Sequence, residues 1–255
     1  MEYKMTIIAI VNQKGGVGKT TTAVTLASGL ARMEIPTLLI DLDAQGNVAD
    51  SLGMESDGSL MRWIAEELPL SKVVSFGREN LDVVRSDKRT ALLKNMLAGM
   101  NFRENVLKGR LEHKDAEKYE VIVMDCAPSV DILHTAALVA ADHLIIPAKL
   151  DQLAIKGIVE TLHSLAAVHM AKRSDCKVMG ILPTFYDKVT NETEAQFKNL
   201  AEAYKALVWP PIPTDTKCRM APRDGKTLWE MGGKSKARDM YVEMIKRVLE
   251  KVREK

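Results

Sequence analysis

Six short, nearly unbroken apolar runs punctuate the chain: residues 5–11 (MTIIAIV), 36–40, 81–84, 121–124, 143–146 and 178–182. They are continuous rather than alternating, as strands buried on both faces are. Longer segments with helical spacing lie between and after them. Residues 20–33 carry Ala23, Leu26, Ala27 and Leu30, and residues 153–170 carry Ile158, Leu162, Leu165 and Val168. Residues 235–253 place Tyr241, Ile245, Val248 and Val252 on one face, with Lys246, Arg247, Lys251 and Arg253 elsewhere. Strands alternating with helices predict an α/β fold: a single doubly wound, mainly parallel sheet with helices on both faces. No repeat, low-complexity stretch or linker divides the pattern, so one domain over residues 1–255 is expected.

The first strand runs directly into Lys14-Gly15-Gly16-Val17-Gly18-Lys19-Thr20, then Thr21, Thr22 and a helix. The ordinary GxxxxGK[ST] pattern needs glycine five places before Gly18, where Gln13 stands. What is present is a shifted form, KGGxGK[ST], with the same physical logic. Glycines let consecutive N–H groups turn inward around an anion, and the helix start adds a positive end. Lys19 is placed to reach the β- and γ-phosphates and the Thr20 hydroxyl to ligate Mg²⁺, the arrangement of a P-loop NTPase. A glycine-rich turn is the plainer alternative, but the strand–loop–helix context favours nucleotide binding.

Two further strands end in acids. Asp41 and Asp43 close the run over residues 36–40, and an extended backbone would project both to one side, away from Leu42. Asp125 closes the run over 121–124, where an acid can hold Mg²⁺ through water. Parallel strands of an open sheet aim their carboxyl ends at the ligand crevice. Acids at strand ends are often plain turn residues; beside a phosphate loop the functional reading gains.

Composition removes several other classes. Cys126, Cys176 and Cys218 form no CxxC pair, which argues against a disulfide framework or zinc ribbon and for a reducing compartment. His113, His134, His143, His163 and His169 have no HExxH-like spacing, and there is no GxSxG elbow. No apolar stretch approaches the roughly 18–20 residues of a membrane span, and the first run is too short for a signal peptide. A cytoplasmic protein is expected. Net charge is only +2, from 36 Lys+Arg against 34 Asp+Glu. The charge is unevenly spread, because Lys217, Arg219, Arg223, Lys226, Lys234, Lys236 and Arg238 face only Asp224 and Glu230 within one Pro/Gly-broken window. Such a window can contact backbone phosphates of DNA without reading bases.

KGGVGKTTT resembles the deviant Walker A loop of ParA/MinD-type ATPases. The resemblance implies that Lys14 crosses a dimer interface to the partner's nucleotide, compensating phosphate charge as an arginine finger does. The stretch from Asp41 to Asn47 is similar to the family's DxDPQGN segment, with Ala44 replacing proline. By that likeness Asp43 positions the attacking water and Asp41 lies near the Mg²⁺ shell. Asp125-Cys126-Ala127-Pro128-Ser129 resembles the family's DxxPS motif, with Cys126 a small buried filler. Residues 212–226 resemble a segment reading IPRN, a basic residue and APSxGK. There Pro213 and Asp215 line the nucleotide base, and Lys217 matches a DNA-contacting arginine.

The implied protein is an ATP- and Mg²⁺-dependent ATPase that dimerises on ATP, binds DNA nonspecifically and drives plasmid or chromosome partition. Hydrolysis releases the DNA, a ParB-like adaptor stimulates it, and the protein is nucleoid-associated. No helix-turn-helix extension precedes the first strand, which disfavours operator binding. Two rivals remain. One is a MinD-like membrane-surface ATPase using the last helix, which lacks bulky aromatic anchors; the other is a metabolic synthetase on the same fold.

Overall fold

The computed structural model describes residues 5–151, 154–187 and 191–253. Among the described residues seven strands form: β1 (Thr6–Ile10), β2 (Thr37–Asp41), β3 (Ser75–Arg78), β4 (Leu81–Val84), β5 (Val121–Asp125), β6 (His143–Lys149) and β7 (Lys177–Thr184). They make one sheet in the order β3-β4-β2-β5-β1-β6-β7, parallel except for the antiparallel β3–β4 pair. The six apolar runs all become strands. The last two extend further than expected, because β6 and β7 pair in register out to Lys149 and Thr184.

Alternation along each strand divides the interior into two layers. Ile7, Ala9, Val11, Leu38, Ile40, Ile122 and Met124 face one side, under Leu93, Leu97, Leu133 and Ala137 from covering helices. Ile8, Ile10, Leu39, Val121 and Val123 face the other, under Ala23, Leu26, Ala27 and Leu30 of the helix Lys19–Ala31. All those side chains are buried, so the strands read as continuous apolar runs because both faces are covered.

The last helix, Lys236–Arg253, turns Tyr241, Ile245 and Val248 into the second layer. It docks on the helix Lys19–Ala31: the Tyr241 hydroxyl lies 3.3 Å from Thr22 Oγ1. Ile245 and Trp229 crowd Gly29 so closely that a Cβ there would stand 2.3 Å from Ile245 Cδ1. The apolar stripe that could have served a membrane surface is therefore occupied by the protein's own core. Among the described residues no helix is long and apolar enough to cross a membrane.

Candidate nucleotide site

Register brings the chemistry together. Ile10 at the end of β1 pairs with Asp125 at the end of β5, and Asp125 pairs in turn with Asp41 at the end of β2. The phosphate loop leaving β1 thus starts one strand away from Asp125 and two from Asp41.

The loop is held from outside by groups far away in sequence. Asn12, 1% exposed, donates from Nδ2 to Pro147 O (2.8 Å) and accepts the Lys14 amide on Oδ1 (2.8 Å). Gln13 Nε2 donates to Glu160 O and Ser164 Oγ, both 2.9 Å away. Thr184 Oγ1 at the end of β7 donates to Val17 O at 3.0 Å. Gly157 leaves room for this anchoring, since a Cβ there would sit 2.7 Å from Asn12 Oδ1. Gly18 starts the helix Lys19–Ala31 at φ +85, a left-handed conformation that L side chains resist. Over Gly15 and Gly16 a Cβ would meet nothing within 4 Å. That open space beside a helix N-terminus suits an anion.

The two lysines part ways. The Lys19 side chain is buried, and its Nζ donates to Lys14 O at 2.8 Å. Burial pulls its pKa below the usual lysine value, against the opposing charges of Asp125, Cys126 and Asp43. Lys14 instead turns to the rim, where Nζ pairs with both carboxylate oxygens of Asp151 at 2.5 Å.

Asp41 and Asp125 are fully buried neighbours. Asp41 accepts the Asp43 amide on Oδ1 (2.9 Å) and the Val48 amide on Oδ2 (3.2 Å), which ties down the turn that follows β2. Burial first, then the charge on Asp125, drives its pKa well above the ordinary carboxylate range. Burial also raises Asp125, to about 7, against the Thr20 hydroxyl and the Lys19 ammonium nearby. Among the described residues no hydrogen bond of good geometry reaches either Asp125 oxygen. Among the described residues no group of three or more His, Cys, Asp or Glu could hold a metal alone. The donor set instead suits Mg²⁺, which takes one or two carboxylates and completes its shell with phosphates and water. Thr20 and Asp125 fit as holders, with Asp41 beside them. Asp43 is half-buried and accepts the Gln45 amide on Oδ1 at 3.0 Å.

Pro213 and Asp215, expected to line the nucleotide base, also make structural contacts. Pro213 forms a parallel bridge with Tyr186. Asp215 caps the helix Thr216–Arg223 through the Lys217 amide (2.9 Å), and also accepts Ser235 Oγ (2.7 Å) and the Ala237 amide (3.3 Å). Burial opposes ionisation, but these bonds outweigh it and hold the Asp215 carboxyl below its usual pKa. In the basic window, Arg219, Arg223, Lys226, Lys234 and Lys236 are exposed. Lys217 Nζ donates to Gly232 O, and Arg238 to Met231 O and Gly233 O, so those two charges brace the turn between them. The window also abuts the turn that follows the helix Asn47–Ser51. A Cβ on Gly225 would stand 2.7 Å from Gly53 Cα, and Arg78 donates to Leu52 O and Gly225 O while pairing with Glu230 at 2.8 Å.

A mainly parallel sheet in which β1 feeds a glycine loop into a helix, with the next two strands on one side of it ending in buried acids, defines a P-loop nucleotide-binding protein of the deviant Walker A class. A family model described as an AAA domain matches residues 5–178. The chromosome partitioning protein ParA of Myxococcus xanthus is 32% identical over 250 residues, covering 96% of this chain and 88% of the relative. The sporulation initiation inhibitor protein Soj of Bacillus subtilis is 32% identical over 255 residues, covering 95% and 97%. Among solved structures, apo McdA from Cyanothece superposes with a TM-score of 0.87 at 25% identity, over 96% of this chain and all of the other. A cobyrinic acid a,c-diamide synthase from Mycobacterium smegmatis, with bound ATP analog and magnesium, gives 0.83 at 29% identity, over 96% and 95%. The chain belongs to the ParA/Soj family of partition ATPases.

Proposed function

We propose that the chain is a partition ATPase that pairs on ATP, binds DNA nonspecifically through the paired form, and lets go of both on hydrolysis. ATP and Mg²⁺ are its cofactors, and ATP hydrolysis is its reaction. The observation that carries the reading is the alignment of Asp41 and Asp125 in adjacent register beside the phosphate loop. The loop amides and Lys19 bind the phosphates and balance charge that builds on them. Held by Thr20 and Asp125 with Asp41 alongside, Mg²⁺ supplies further charge neutralisation. Asp43, on a turn fixed by Asp41, orients the water that attacks.

Support for pairing comes from Lys14. Lys19 already fills the local phosphate-facing place, and Lys14 is anchored by its amide with its ammonium at the rim. From there it serves the nucleotide of a second copy. Pairing doubles the exposed charges of Arg219, Arg223, Lys226, Lys234 and Lys236, and nonspecific affinity climbs steeply with the number of phosphates neutralised. A ParB-like adaptor completes the cycle, and DNA binding places the protein on the nucleoid.

The test is DNA co-sedimentation with ATP, ADP or no nucleotide across a salt series. Binding with a steep salt slope in ATP alone is expected, and Lys14→Ala should lose both pairing and DNA binding while still taking up ATP. DNA binding indifferent to nucleotide, or a Lys14→Ala protein that still pairs, refutes the reading.

A further inference from the structure

Lys14 is tethered at both ends of its backbone. Its amide donates to Asn12 Oδ1 and its carbonyl accepts Lys19 Nζ, both at 2.8 Å. Its first side-chain carbon rests on the helix Ala154–Met170, where a Cβ at Gly157 would stand 3.4 Å away. What can still swing is the far end of the side chain. It runs to Asp151, whose two carboxylate oxygens each take the ammonium at 2.5 Å. Asp151 stands two residues beyond β6, with its own amide donated to Lys149 O at 2.9 Å. The Lys149 ammonium is turned elsewhere, 5.8 Å from the centroid of the Phe185 ring.

A lysine bonded to a carboxylate of its own subunit is withheld from any phosphate outside it. The pair is only partly covered, with side chains 24% and 34% exposed, so it can open without disturbing the core. Resting on the pairing reading above, we propose that Asp151 is an autoinhibitory latch, which keeps Lys14 in its own subunit and so sets how readily a second copy docks. Opening takes two steps. Phosphate entering the loop draws Lys19 Nζ off Lys14 O and removes one backbone tether. The triphosphate of the second copy, with several negative charges against the single one of Asp151, then takes the ammonium. Without a triphosphate the latch stays shut and the protein stays single. In a two-fold symmetric pair both latches open together, so their effect on pairing is squared.

Sedimentation velocity in a saturating non-hydrolysable ATP analogue reads pairing, and calorimetry on dilute protein reads uptake by single copies. An exposed ion pair holds by about 1.4- to fivefold. With two opening together, Asp151→Asn should pair about two- to 25-fold more tightly than wild type, while single-copy uptake changes less than twofold. Asp151→Glu keeps the charge and should pair as wild type does. Pairing of Asp151→Asn that is unchanged or weaker overturns the latch, and so does Asp151→Glu pairing as tightly as Asp151→Asn. A gain in pairing matched by an equal gain in single-copy uptake overturns it too, because Lys14 would then serve the nucleotide of its own subunit. Lys14→Ala tells this failure from that of the pairing reading. If Lys14→Ala pairs as wild type does, the pairing reading falls; if it stays single and Asp151→Asn gains nothing, the latch alone falls.

Discussion

Asp125→Asn should make the nucleotide-free protein more stable while abolishing hydrolysis. Asp125 is buried beside Asp41, and burial lifts its carboxyl from an ordinary 3.8 to about 7. Because the folded value exceeds the unfolded one, stability from this group is full below about pH 4 and drains away as pH rises through about 7. Above both values the charged form disfavours the fold by roughly 4 kcal/mol. Asparagine removes the charge yet keeps a buried polar group, whose unmet hydrogen bonds cost about 1–3 kcal/mol. The net gain is about 2 kcal/mol, or roughly a 5 °C rise in melting temperature for a chain of this size. Melting curves in EDTA from pH 6 to pH 8 provide the assay. The wild type should lose stability across that range and the variant should lose less. An Asp125→Asn protein that melts at or below wild type at pH 8 would refute the account of Asp125 as a carboxyl raised by burial.

Gly157→Ala should cost about 1–3 kcal/mol through overpacking and slow hydrolysis, because the new methyl displaces Asn12 and with it the anchor of the Lys14 amide; chemical denaturation and a steady-state ATPase assay check both halves. Asp215→Ala should lose at least the ~1 kcal/mol of an N-cap. With its folded pKa depressed, Asp215 stabilises above its unfolded value near 3.8 and loses that effect as pH falls through the folded value, so wild type and variant should converge in acid melts. Lys226→Ala, at an exposed position, should lower the salt slope of ATP-dependent DNA binding by about 1 without altering ATP turnover.

The sheet was readable wherever both faces are covered, because continuous burial writes a continuous apolar run. β3 escaped because it is a four-residue edge strand, SFGR, paired on one side with Phe76 73% exposed; its existence depends on the partner β4 rather than on its own pattern. In the site, Lys19, Thr20 and the strand-end acids are local to their motifs and could be found by spacing. Asn12, Asp151, Gly157 and Thr184 act through contacts that span more than a hundred residues or depend on helix packing, and no local spacing encodes those. The capping role of Asp215 did have a local signal, an Asp directly before the helix Thr216–Arg223. Lys217 and Arg238 counted as charges in the sequence, but only the folded turn shows them bonded to backbone carbonyls.

Where Gly53 meets Gly225, two main chains touch with no side chain between them. A joint without upholstery has no slack to absorb a shove. Any ångström by which the turn after the helix Asn47–Ser51 shifts is handed straight to the ribbon bearing Lys226, and a single methyl wedged into that joint would push the two regions apart.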